Sequence, residues 1–378
     1  MCQRTNQWLV LFASVLISPC AFATTGVVID PPGGFNLAYG DTLGTDTAVQ
    51  NNSTVHTLGV STNATWTGTN LYGFYNSPGS VVNARGFNVN TDARVYGGTA
   101  GIQNATGATF IATTNGSAAI INAGTVGALG GMLSINGIYN NGTISSPYVA
   151  SIGNLGLITG SNAGIMNDTA GLITSTFGGV NIFNFGGVIG GFGAAYGIYN
   201  AGAISGAGFA IASAGPISGS IAAIYNAAGG LISTYSDPGY AILNANMLGG
   251  SGTQYGIYNQ GTISNTSLSP TGVSIGNNSA SYINGDLDGI YNGASGVISA
   301  LSGIAINNDG GISSITNAGS ISGVTGGVIN TSTGTINALT NTGSIGASQG
   351  HAIGNSGFIG AITNSGTIGQ VGQLLSVN

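Results

Sequence analysis

A nine-residue phrase, Gly256-Ile257-Tyr258-Asn259-Gln260-Gly261-Thr262-Ile263-Ser264, is repeated along most of this chain. Near-copies begin at Gly137, Gly197 and Gly289, and weaker ones at Gly73, Gly164 and Ala223. The phrase reads as strand, corner, strand. Alternation at period two puts Ile257 and Asn259 on one face and Tyr258 on the other. Asn followed two residues later by Gly is expected to supply the left-handed backbone of a tight corner. Ile263 then returns to the inner face, between outward Thr262 and Ser264. One copy cannot bury two isoleucines alone, so copies must stack, and the stack is a solenoid.

The order of the corners says more than their number. They recur from Asn76 to Asn364, with Asn90 and Asn307 read among them. The Gly-Ile-Tyr-Asn type falls at every second corner: Asn140, Asn167 (with Met166 in place of Tyr), Asn200, Asn226, Asn259 and Asn292. Between them lies a type without the Tyr, as at Asn154, Asn184, Asn244 and Asn277. Spacing to the next corner but one is far steadier than spacing to the next. The repeating unit is therefore the pair. We expect an all-β fold, a parallel β-helix with two Asn-Gly corners per coil. About ten coils at about 4.8 Å each make a rod about 50 Å long. Uneven coil lengths are expected to reflect loops inserted on one side, such as Ser146-Pro147-Tyr148 and Tyr235 to Gly239.

Composition fits this reading. The chain has 378 residues, 70 of them Gly, and only 3% are charged. Such values also suit disorder, but Ile and Val recur in register with the corners, which a stacked core needs and a flexible linker does not. Residues 1–23 read as a signal peptide, with Arg4, an apolar run from Trp8 to Ile17, and an Ala21-Phe22-Ala23 cleavage site. Cleavage there removes both cysteines, Cys2 and Cys20, and a secreted or cell-surface location follows. Residues 24–71 are the least periodic and are expected to form an N-terminal cap or irregular leader. Residues 72–369 form the repeat domain, and 370–378 a short tail.

After cleavage, Arg85 and Arg94 face nine aspartates, a net charge of −7, with no Lys or Glu anywhere. Nucleic acid needs cationic contacts, so it is excluded as a partner. No catalytic, metal or cofactor constellation is found. His56 and His351 stand far apart without Cys or carboxylate neighbours. Asp286-Leu287-Asp288 would place two carboxylates on one face if extended, but beside Gly285 and Gly289 they read as turn formers. The promising feature is an outward aromatic ladder: Tyr139, Tyr199, Tyr225, Tyr258 and Tyr291, one ring per coil except at Met166. Such a strip can meet a sugar or a protein, or simply brace the sheet.

The signal peptide, the tandem Gly-Ile-Tyr-Asn-x-Gly-x-Ile-Ser units and Ala361-Ile362-Thr363-Asn364-Ser365-Gly366-Thr367-Ile368-Gly369 together resemble the passenger region of bacterial autotransporters. The resemblance covers roughly residues 73–369. It implies a β-helix carried to the bacterial surface by a C-terminal outer-membrane barrel, with adhesion a common role. That barrel is expected but missing from this chain, since no alternating strands with aromatic girdles follow the repeats. The resemblance thus implies a non-catalytic surface protein whose partner is a host-surface protein or glycan. The alternative is a carbohydrate-active β-helix enzyme, a polysaccharide hydrolase or lyase. Ice binding would need regular Thr-x-Thr rows, and those at Thr65 to Thr69 are isolated. The uncharged tail, with Val371, Leu374, Leu375 and Val377, leads us to expect self-association through the C-terminal edge.

Overall fold

The computed structural model describes residues 25–29, 36–39, 42–44, 46–60, 63–113, 117–129, 131–191 and 193–369. The expected signal peptide, residues 1–23, and the 370–378 tail therefore lie outside the described residues. All regular structure among the described residues is β-strand, arranged in three long parallel sheets and one short antiparallel pair, Ala128–Leu129 with Met132–Leu133.

One coil shows the plan. Tyr255–Asn259 lies in sheet A, Thr262–Asn265 and Val273–Asn277 lie in the two runs of sheet B, and Tyr282–Asn284 lies in sheet C. Asp288–Asn292 then returns to sheet A and pairs in parallel with Tyr255–Asn259. Each coil therefore holds two Asn corners, and the expected β-helix is the observed fold. Ten coil steps separate the sheet A strand Tyr72–Asn76 from the strand Ile362–Asn364. At one strand spacing each, they make a rod about 50 Å long.

Coils also run back through the segment expected to be a cap or leader. Thr47–Asn51 sits in sheet A between Thr25–Ile29 and Tyr72–Asn76. Thr65–Gly68 pairs in sheet C with Arg94–Gly97.

Four aliphatic side chains per coil point inward, one from each strand: Ile257, Ile263, Ile275 and Ile283, all 0% exposed. Full burial of each removes its apolar surface from water, at about 1.5–3 kcal/mol apiece. Near the N-terminal end aromatic rings replace isoleucine. Trp66, Phe74, Phe87 and Phe110 form one buried cluster, with Phe74 and Phe87 centroids 4.7 Å apart.

Asparagine lines two corners. On sheet A, each Asn side chain from Asn51 to Asn341 donates its Nδ2 to the Oδ1 of the next Asn, as Asn226 does to Asn259 at 2.8 Å. The same Nδ2 reaches carbonyls of its own corner and of the next coil, Gly230 and Thr262 for Asn226. A second ladder runs along sheet B from Asn122 to Asn355, broken where Ser213 replaces Asn. Buried amides without partners would be costly, and stacking satisfies them in series.

Three expectations about the corners need correction. Asn307 faces outward, and Asn308 pairs with Asn277 and takes its ladder bond. Counting Ile-x-Asn from Ile306 selects Asn308, because alternation turns the intervening residue out. Asn90 is likewise one residue late: Val89 holds the inner position opposite Asn122, while Asn90 caps the Val60 carbonyl at 2.8 Å. Third, the glycine two residues after the corner Asn is not left-handed at most corners, Gly186 at φ +124° being an exception. Gly261 has no positive φ, but a Cβ there would meet the Gly230 and Ala227 carbonyl oxygens at 2.2 and 2.4 Å. Close approach of the neighbouring coil demands Gly at that corner.

The inserted loops occupy two corners. Ser146 to Tyr148 and Tyr235 to Gly239 both join the two runs of sheet B. The hairpin and the stretch between Gly249 and Tyr255 instead join sheet C to sheet A.

Candidate functional site

The outer face of sheet A carries the aromatic ladder. Because Ile and Asn point inward at each strand, the residue between them must point outward. Register then aligns Tyr139 with Met166, Met166 with Tyr199, and Tyr199, Tyr225, Tyr258 and Tyr291 in one row. The last four rings stack: centroids lie 5.2, 4.9 and 4.8 Å apart, with planes within 5°, 11° and 27° of parallel. Met166 separates Tyr139 from this stack.

The sequence reading missed a second row three residues upstream. Tyr196 lies 5.0 Å from the Tyr225 ring, and Tyr255 packs edge-on to Tyr258 at 4.9 Å. The signal was present as Tyr-Gly-Ile-Tyr at Tyr196 and Tyr255, and as the similar Tyr72-Gly73-Phe74-Tyr75, whose two tyrosine rings stack at 4.9 Å. A strict alternation reading had no place for a Tyr three positions away.

This geometry limits what the ladder can do. Stacked along the rod axis, the rings turn their faces toward each other, so they offer edges and hydroxyls outward. Tyr225 Oη donates to Gln260 Oε1 at 3.3 Å, and Gln260 Nε2 donates to Tyr258 Oη at 3.1 Å. Tyr139 Oη donates to the Asp168 carboxylate of the next coil. Burial raises the Tyr225, Tyr196 and Tyr255 phenols above their ordinary value, with neighbouring phenols adding to the effect. For Tyr139, burial acts first and the Asp168 hydrogen bond second, in the same direction. These four phenols are therefore neutral donors at neutral pH.

The other sequence candidates are dispersed. Asp286 Oδ2 accepts from the Gly252 backbone of the preceding coil at 3.0 Å. Asp288 Oδ1 accepts from Ser314 Oγ and Thr316 Oγ1 of the following coil at 2.8 and 2.7 Å. The two carboxylates are thus drawn to opposite neighbouring coils. His351 is exposed at the start of a strand, and the side chain of His56 lies outside the described residues. Among the described residues, no group of three metal-ligating side chains comes together, and no helix is long and apolar enough to cross a membrane. An exposed aromatic pair, Tyr148 and Phe177, stacks at 5.4 Å at the corner between the two runs of sheet B.

No protein-family model, curated protein or solved structure matches the chain.

Proposed function

We propose that this chain is an exported, non-catalytic β-helix that works at the bacterial surface by contact, in adhesion or surface display. One observation carries the reading. Six tyrosines, Tyr196, Tyr199, Tyr225, Tyr255, Tyr258 and Tyr291, form one continuous outward patch spanning four coils of sheet A. Amphipathic rings held rigid by their neighbours lose little entropy on binding, which is why such residues suit interfaces. The partner is a host-surface protein or a glycan that meets ring edges and phenol donors. After Arg94 the sequence contains no cation, so the patch does not favour polyanions.

The resemblance to autotransporter passengers and the signal peptide read over residues 1–23 support export. The enzyme alternative gains nothing from Asp286 and Asp288, because glycosidic chemistry needs two carboxylates converging on one bond. The test is adhesion of beads coated with residues 24–378 to epithelial monolayers and to immobilised glycans. We expect saturable adhesion that falls severalfold when Tyr199, Tyr225, Tyr258 and Tyr291 are all replaced by Ser, with the β-sheet circular dichroism retained. Equal adhesion by both proteins would remove the ladder from the reading. Absence of adhesion to any surface would sink the proposal.

A further inference from the structure

A second site lies on a different side of the rod, on the outer face of sheet C. Tyr282 stands there 52% exposed, in register with Gly311, which in turn pairs with Thr335 and then Phe358. The Tyr282 ring lies over Gly311. A Cβ added at Gly311 would meet ring atoms Cδ1 and Cε1 at 2.7 and 3.0 Å. One part of the ring is therefore seated on backbone, Met247 holds the register position on the preceding coil, and about half of the side chain is open to solvent. Unlike Tyr199, Tyr225, Tyr258 and Tyr291, it has no ring stacked upon it among the described residues.

Beside the ring is a shallow depression of about 380 Å3, at the low end of the about 300–1,000 Å3 of small-ligand sites. Its walls carry Asn284, Ser313 and Asn337, one from each of three successive coils, together with Thr335. Ser313 Oγ is held by Gly285, accepting from its N–H at 3.2 Å. Among the described residues, the side chains of Asn284, Asn337 and Thr335 have no hydrogen-bond partner and can serve a ligand. No charged residue lines the depression. Phe358, 59% exposed, continues the aromatic line one coil past Thr335.

We propose that this depression binds a neutral oligosaccharide. An exposed aromatic ring is apolar and carries negative quadrupole density, which suits the C–H face of a pyranose ring. Amides and hydroxyls that both donate and accept match sugar hydroxyls, which do the same. The lack of cations in the depression and after Arg94 selects against uronic and sulphated glycans. The chain of the sugar lies along the rod, from Tyr282 over the row of Asn284, Ser313 and Asn337 toward Phe358. The site is independent of the sheet A ladder, so either can fail without the other.

The test is calorimetric titration of the mature chain with cellotriose, chitotriose, maltotriose and mannotriose, with heparin and polygalacturonate as anionic probes. At least one neutral trisaccharide is expected to bind, and the anionic probes are not. Tyr282→Ala is expected to weaken that binding about tenfold and Asn337→Ala severalfold, while Tyr258→Ala leaves it unchanged. Should Tyr282→Ala fail to fold, Asn337→Ala, at an exposed position, and Thr335→Arg, at a part-exposed one, provide the same readout. The proposal is overturned by no neutral binding at millimolar sugar or by preference for the anionic probes. It is equally overturned by binding that survives Tyr282→Ala, or Asn337→Ala and Thr335→Arg where Tyr282→Ala does not fold. Binding lost with Tyr258→Ala instead would also overturn it, by moving the sugar to the ladder. Sugar binding without bead adhesion would fault only the adhesion reading.

Discussion

Asn259 donates its Nδ2 to the Oδ1 of Asn292 at 2.8 Å, across a coil step of 33 residues, with both side chains fully buried. The same Nδ2 reaches the carbonyls of Gly261 and Val297. A single amide thus ties its own corner, the next corner and the strand beyond it. The rod depends on such buried amides as well as on its isoleucines.

Replacing Asn259 by Leu leaves Asn226 Nδ2 without its ladder acceptor and Asn292 Oδ1 without its ladder donor, while the Gly261 carbonyl keeps the Val297 N–H. The expected loss is about 2–4 kcal/mol, since buried polar groups lose their partners outright. Asn307→Ala, on an outward side chain, is expected to stay within about 0.5 kcal/mol. Urea denaturation of both variants checks this, and equal effects would contradict the buried role of the ladder.

The inward and outward faces are testable one residue apart. Ile263→Asp places an unpaired carboxylate among fully buried side chains and is expected to cost several kcal/mol, on the order of 4. Thr262→Asp, half-exposed next to it, is expected to cost little. Similar melting temperatures for the two would mean that the assigned faces are wrong.

Two glycines separate crowding from backbone strain. Gly261→Ala drives a methyl into the Gly230 and Ala227 carbonyls and is expected to cost about 1–3 kcal/mol or more through overpacking. Gly229 has φ +82° with no atom near a new Cβ, so Gly229→Ala is expected to cost about 1–2 kcal/mol through conformation alone. Asn tolerates left-handed backbone, so it should partly rescue position 229 and worsen position 261. If Asn rescues both, the Gly261 corner needs left-handed backbone after all.

Raised phenols set an alkaline limit. The folded chain holds the protons of Tyr139, Tyr225 and Tyr255 to higher pH than the unfolded chain does. Their contribution to stability is complete below the ordinary phenol value of about 10 and falls as pH rises through the folded values. Tyr139→Phe should flatten part of that fall, because Phe has no proton to lose. Melting temperature against pH, followed alongside phenolate absorbance, measures it. A melting temperature insensitive to pH above 10 would be the contrary result.

Much of this architecture was legible from local rules. Alternation at period two assigns Ile257, Asn259 and Ile263 to the interior wherever the strand is placed. Burial then obliges the asparagines to pair with one another. Steady spacing at every second corner made the pair of corners the coil. What exceeded local rules was which outward residues meet. Those neighbours lie a full coil apart in sequence, and their alignment depends on register accumulated through loops of unequal length. Asn307 and Asn308 are told apart by alternation from Ile306, and the register opposite Asn277 agrees. Asp286 and Asp288 look like a pair in sequence, yet neighbouring coils draw them in opposite directions. Gly261 reads as a left-handed corner until the Gly230 backbone is found against it. Tyr282 is one aromatic among many until register lays it over Gly311. The sequence by itself determined the coil and what faces its interior, because those follow from alternation and burial within one chain segment. Only the tertiary structure decided the outer surface, because contacts there form between coils that the sequence does not place side by side.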